Sequence, residues 1–261
     1  LQRSILAAAL FLCAGPALWA QPAQPAAQPD EEPERLEQRA YVRKFSAGIS
    51  LGLVPFNLFP KETLTQKIEA ARPVEIISNV DPESNRFGVG FIAQVALTDR
   101  WAVAVAPSYR KVKFHAFLRK FEGVDNASTF IDERDKTEIN EDTIARFIEI
   151  PALARYYSKS RFDSGPRWFF EGGPVLRHTR QVTMARDTVP PRGARFQDSI
   201  PLPYRSNSLG VTGGIGIQFI DDFGIRAIPE VRYTRWFQRP FDSVNGRSRV
   251  NQVEVVLTFS F

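Results

Sequence analysis

From about Arg43 onward the chain alternates. Eight segments carry large apolar residues at every second position: KFSAGISLGLV, FGVGFIAQVAL, WAVAVAPSYR, IARFIEIPALARYY, WFFEGGPVLRH, LGVTGGIGIQF, GIRAIPEVRYTRW and NQVEVVLTFSF. That spacing is the mark of a β-strand with two different faces. In the first segment Phe45, Ala47, Ile49, Leu51 and Leu53 share one face, and Ser46, Gly48, Ser50 and Gly52 share the other. In the last, Val253, Val255, Leu257, Phe259 and Phe261 alternate with Glu254, Val256, Thr258 and Ser260. The second face of all eight is rich in Gly and Ala alongside its polar groups. Small residues there suit a crowded, narrow interior better than a surface open to water.

The connections add a second rhythm, because short and long ones alternate. TDR, SKSRFDSGP and DDF are short; the joins at about 55–86, 112–142, 178–206 and 237–248 are long. Tight turns at one end and long loops at the other are the habit of outer-membrane barrels, which also favour an even strand count. Each segment is close to the roughly 9–11 tilted residues that cross the hydrocarbon layer. The pattern therefore predicts an all-β fold: an eight-stranded antiparallel up-and-down transmembrane β-barrel. With the short turns at one membrane face, Trp101, Tyr156, Trp168, Phe219 and Phe261 fall at one level and point outward, as a periplasmic aromatic girdle. NQVEVVLTFSF is expected to close the sheet on KFSAGISLGLV, leaving no edge in lipid.

Composition narrows the class. The 261 residues are 43% hydrophobic with a mean hydropathy of -0.23. No apolar run beyond residue 20 approaches the roughly 20 residues of a membrane helix, which excludes a helical membrane protein but not a barrel. Residues 1–20, LQRSILAAALFLCAGPALWA, read as a secretory signal peptide: Arg3, an apolar stretch from Ile5 to Cys13, then small residues up to Ala20. Residues 21–42, rich in Pro, Ala and Gln, read as a flexible periplasmic segment, and residues 43–261 as the barrel. Cys13 is the single cysteine, so no disulfide framework or cysteine metal site is expected beyond it. Export to the outer membrane follows, with the N-terminus periplasmic after cleavage and no nucleic-acid partner.

EIPALARYY, EGGPVLR, PEVRYTRW and the closing NQVEVVLTFSF resemble the bacterial outer-membrane β-barrel domain family, which includes PorT-like proteins and is akin in form to OmpX and the OmpA barrel. The resemblance covers about residues 41–261. It implies that the barrel-assembly machinery reads the final strand, with Phe259 and Phe261 as the signal. A secretion-system role of the PorT kind is not carried over.

By parity the inward face holds Arg110, Glu149, Arg155, Glu171, Arg177, Arg226, Glu230, Arg232 and Glu254, with Gln94, Gln218 and Gln252. Eight strands enclose a space just wide enough for side chains to fill. Nearly balanced charges there are expected to form a structural ion-pair plug, Arg pairing with carboxylate across the lumen. A gate or proton path is the other reading of charges at membrane depth. Arg155 and Glu171 should meet across the short turn between the fourth and fifth segments.

Catalysis finds little support. The only histidines, His115 and His178, sit near the outer ends of strands without an adjacent Asp, and the His-x-Ser pairing of lipid A deacylase barrels is absent. No metal-spaced His or Cys cluster and no phosphate loop occurs, so no cofactor is expected. The basic run RKVKFHAFLRK, Arg110 to Lys120, would face lipopolysaccharide phosphates on the outer side, or be a solvated flank balanced by the acids of DERDKTEINED. The expected protein is a non-enzymatic barrel serving envelope structure, adhesion or assembly with a surface or periplasmic protein through its long outer loops. The alternative is a lipid A-modifying barrel enzyme or a narrow transporter.

Overall fold

The computed structural model describes residues 44–83, 86–125, 128, 131–163, 165–199, 202–221 and 224–261. The expected signal peptide and linker, residues 1–42, lie outside the described residues. Fourteen strands and no helix are present among those described: β1 (Phe45–Leu53), β2 (Glu62–Ile68), β3 (Val74–Pro82), β4 (Phe87–Ala96), β5 (Trp101–Val105), β6 (Ser108–Glu122), β7 (Asp135–Tyr157), β8 (Arg167–Val189), β9 (Phe196–Asp198), β10 (Asn207–Ile220), β11 (Arg226–Trp236), β12 (Asp242–Ser243), β13 (Gly246–Arg247) and β14 (Asn251–Ser260).

All pairings are antiparallel, and the main ones form a circuit. β1 pairs with β4, β4 with β5 and the start of β6, and these two with β7. β7 pairs with β8, β8 with β10, β10 with β11 and β11 with β14. β14 then returns to β1, with Ile49 opposite Phe259 and Leu51 opposite Leu257. The third alternating segment is broken where the sequence suggested continuity. Pro107 has no N–H to give to a ladder, and β5 ends before it while β6 starts after it. Its carbonyl still accepts from Phe91 N at 2.9 Å, so the break stays inside the sheet.

Burial runs opposite to that of a water-soluble sheet. On β1, Phe45, Ile49, Leu51 and Leu53 are exposed while Ser46 and Ser50 are buried. On β14, Val255, Leu257 and Phe259 are exposed while Glu254, Thr258 and Ser260 are buried. The same inversion holds for β4, β10 and β11. The ring is apolar outside and polar inside.

Glycines make room for the polar interior. A Cβ on Gly214 would lie 3.0 Å from Glu171 Oε1 and 3.2 Å from Arg232 Cγ; one on Gly88 would lie 3.2 Å from Arg110 Nη2. On Gly216 it would meet Phe169 Cε1 at 2.7 Å and Glu230 Cβ at 2.8 Å. Gly52 backs onto the Glu254 carboxylate in the same way. Gly216→Val is therefore expected to destabilise the fold by about 1–3 kcal/mol through overpacking. Urea unfolding followed by tryptophan fluorescence in micelles checks it, and an unchanged midpoint would contradict the crowding.

The long joins are not the loops the sequence suggested. Much of 55–86, 112–142 and 178–206 is strand: β2, β3, β9 and the far halves of β6, β7 and β8. β7 and β8 run for 23 residues each. These strands form one continuous blade in the order β2, β3, β6, β7, β8, β9. The cause lies in RKVKFHAFLRK itself. Val112, Phe114, Ala116 and Leu118 alternate on its inner face and are all buried, so its charges decorate a strand rather than a loop.

Where the blade leaves the ring, an apolar cluster fills the mouth. Phe59 comes from the join after β1 and Phe241 from the join after β11, and both are fully buried. Phe59 stacks on Phe114 with ring centroids 4.1 Å apart, and Phe241 meets Phe59 at 5.4 Å and Phe147 edge-on at 6.3 Å. The β12–β13 hairpin is held to the wall by Asn245, which donates to Glu141 Oε2 at 2.7 Å.

Candidate functional site

Inside the ring the nine charged residues of the inward face are all buried, and so are Gln94, Gln218 and Gln252. Two arginines and two glutamates close a square. Arg155, on β7, donates through Nε to Glu171 on β8 at 2.8 Å and through Nη2 to Glu230 on β11 at 2.7 Å. Arg232 donates through Nε to the other Glu171 oxygen at 2.7 Å, and its Nη2 meets the other Glu230 oxygen. Each carboxylate thus spreads its charge over two guanidiniums, the arrangement that offsets desolvation of buried ions best. The remaining Arg155 nitrogen donates to Gln94 at 2.9 Å, and Gln94 is bonded to Tyr157.

Two further pairs lie toward the mouth. Arg110 is bonded to Glu254 across the lumen. Arg177 donates to Glu149 at 2.7 Å and to Gln252 at 2.5 Å, while the Trp236 ring lies 3.9 Å from its guanidinium carbon. Toward the short-turn end Arg167 donates to Gln218 at 3.0 Å and covers the Tyr157 ring. Arg226 is buried at that same end.

Parity had more to give than the charges. Phe147, Tyr157, Phe169 and Trp236 also fall on the inward face and supply ring surfaces to Arg177, Arg167 and Arg155. Their alternation was visible, but as apolar residues they pass for outward ones unless each is counted from its neighbours. Arg186, whose Nε donates to Glu141 at 2.8 Å, escaped because its stretch was expected to be loop.

The five aromatics Trp101, Tyr156, Trp168, Phe219 and Phe261 are all exposed beside the short-turn ends. Trp101 and Tyr156 are cross-strand partners with centroids 5.0 Å apart. Phe259 is exposed on β14, and Phe261 N donates to Ala47 O at 2.9 Å, which ties that end to β1.

The histidines differ from their sequence description in one respect. No Asp adjoins His115 along the chain, but cross-strand pairing puts Asp142 against its Nδ1, and Glu83 lies 3.0 Å from Nε2. The pairing of β6 with β7 creates this contact, 27 positions apart in sequence. Hydrogen bonds from Lys113 and then His115 hold the Glu83 carboxyl below the usual carboxylate range, and the same bond raises the Lys113 ammonium. His178 is bonded to Asn207 at 2.8 Å. Among the described residues no group of His, Cys, Asp or Glu could hold a metal ion.

No known family pattern matches the chain, and no curated protein matches it. Among solved structures, Ail, the attachment invasion locus protein of Yersinia pestis, is similar at 10% identity and a TM-score of 0.30, over 84% of this chain and 97% of that one. A second structure of Ail, in complex with the heparin analogue sucrose octasulfate, aligns over the same shares with the same score. An overlap this slight settles neither fold nor role, and both must rest on the chain's own residues.

Proposed function

We propose that the protein is an integral outer-membrane β-barrel. Its ring is eight antiparallel strands in up-and-down order, β5 and β6 counting as one kinked strand. Its lumen is filled by side chains, and it acts without catalysis, through its outer blade, in envelope structure, adhesion or assembly with a partner. One observation carries the reading. A closed circuit of strands presents Leu51, Phe91, Val211, Ile215, Val231 and Leu257 to its surroundings and buries arginines and glutamates. A band of that kind is stable against lipid and unstable against water.

The aromatics at the short-turn ends support a periplasmic girdle there, because such rings favour the headgroup boundary. Outer-membrane lipid and lipopolysaccharide are then its immediate surroundings, and the barrel-assembly machinery its folding partner, with Phe259 and Phe261 the residues read. The likeness of PEVRYTRW and the closing strand to PorT-like and OmpX-like barrels agrees with this reading. The ion-pair square and the aromatic cluster above it favour a structural plug over a conducting path.

Heat-modifiable gel migration after detergent extraction of outer membranes tests the fold; a mature chain that stays soluble without detergent would overturn it. Ile215→Arg is a sharper probe. Ile215 is exposed near the middle of β10, so in a water-soluble sheet the change would be neutral. In a barrel it is expected to lower stability by about 2–4 kcal/mol, as a charge near the bilayer midplane does. Urea titration in lipid vesicles reads the difference.

A further inference from the structure

The basic run Arg110 to Lys120 is divided by the fold. Arg110 is inside the ring with Glu254, Lys113 and His115 share Glu83, and Lys120 meets Glu122. Arg119 has Glu138 as its cross-strand partner high on the blade, and Lys111 is left over near the ring. It is exposed on the outward face, and its cross-strand partner on β7 is Arg146. The neighbouring pair toward the short turns is Tyr109 opposite Ile148, at the edge of the apolar band. On β6 and β7, Lys111 and Arg146 therefore form the first charged row beyond that band, while on β8 the row of Ile148 continues as His178, bonded to Asn207.

Like charges directly opposite on a sheet repel each other. Here no acid relieves them. Arg146 donates to Gln181, a neutral group, and among the described residues Lys111 has no acidic partner. A bulge then adds a third cation. Phe147 faces Thr179 and Arg146 faces Gln181, so Arg180 is the extra residue on β8 and is turned outward beside the row. The acids of this face sit higher, where Asp142 faces His115 and Glu83 holds Lys113.

Three uncompensated cations at the rim of an apolar band match one kind of partner, an anion fixed at the same height. We infer that Lys111, Arg146 and Arg180 hold a phosphate of an outer-leaflet glycolipid headgroup. The inference rests on the barrel reading, which puts this row at the headgroup level. Guanidinium forks from Arg146 and Arg180 suit phosphate oxygens, and Lys111 adds a point charge. Free phosphate offers the same chemistry without the anchoring chains. The chains, lying along Tyr109, Ile148 and Leu176, are what commit the site to lipid.

The test uses the mature chain folded in detergent, with the temperature at which the compact gel band is lost as readout. Three probes are compared: lipid A with both phosphates, lipid A stripped of phosphate, and inorganic phosphate. The expected result is half-maximal protection by phosphorylated lipid A at a concentration lower by about tenfold or more than by the stripped form, about tenfold being what a single charged hydrogen bond would give. K111Q/R146Q/R180Q should lose that preference, and K61Q/K67Q, on the blade, should keep it. Equal protection by the stripped lipid, or a preference that survives the triple change, overturns the inference. Protection by inorganic phosphate at the same concentration overturns the lipid assignment. A chain without heat-modifiable migration overturns the barrel reading instead, so the two failures are distinguishable.

Discussion

Arg155→Met is expected to lower stability by about 3–5 kcal/mol, because it leaves Glu171 and Glu230 buried and short of a counter-charge. Both carboxylates sit against glycine-bearing strand: an added Cβ on Gly214 would crowd Glu171 Oε1, and one on Gly216 would crowd Glu230 Cβ. Arg155→Met/Glu171→Met should cost much less than the single change. It removes one charge of each sign and leaves Arg232 paired with Glu230. Urea midpoints in micelles for the three proteins decide the matter. A single variant as stable as the parent would show that the square contributes nothing, and a double variant as weak as the single would show that charge balance is not what matters.

Phe241→Ala is expected to cost about 3–5 kcal/mol, the usual range for deleting a fully buried aromatic ring. Phe241 touches rings from four separate parts of the chain: Phe59, Phe114, Phe147 and Tyr204. Its loss should loosen the join between β11 and β14, seen as faster protease cleavage within residues 237–250 of the folded protein. Conductance in planar bilayers should stay closed in the same variant, because the ion-pair square fills the lumen below. Large steady openings in the parent would refute the plug altogether. Openings in Phe241→Ala alone would assign the closure to the aromatic cluster.

How far the sequence could be read depended on whether a residue's neighbours alternated with it. Within the ring the period of two was continuous, so Ile49, Phe91 and Leu257 and their polar counterparts Ser50, Gln94 and Glu254 could be placed on opposite faces without a structure. The blade was missed for a physical reason. Both its faces carry polar groups, and in Val112–Leu118 the charges drew attention away from an apolar alternation as regular as any in the ring. The mouth could not have been read at all. Phe59 and Phe241 come from irregular joins, where no period says which way a ring points, and only their meeting in space marks them as core. His115 shows the same limit: its acids are neighbours across strands, and pairing registers between distant segments are not written locally.

The 23 residues of β7 and of β8 bear on how the protein would meet its surroundings. In the barrel proposed above, about ten residues of each tilted strand would cross the hydrocarbon layer, so a dozen or so remain, which at about 3.3 Å each and a tilt near 40° would carry the blade roughly 30 Å clear of it. That height is comparable to the bilayer's own thickness. A bulky partner approaching from that side would meet the blade tip first, a bilayer's thickness away from the ring.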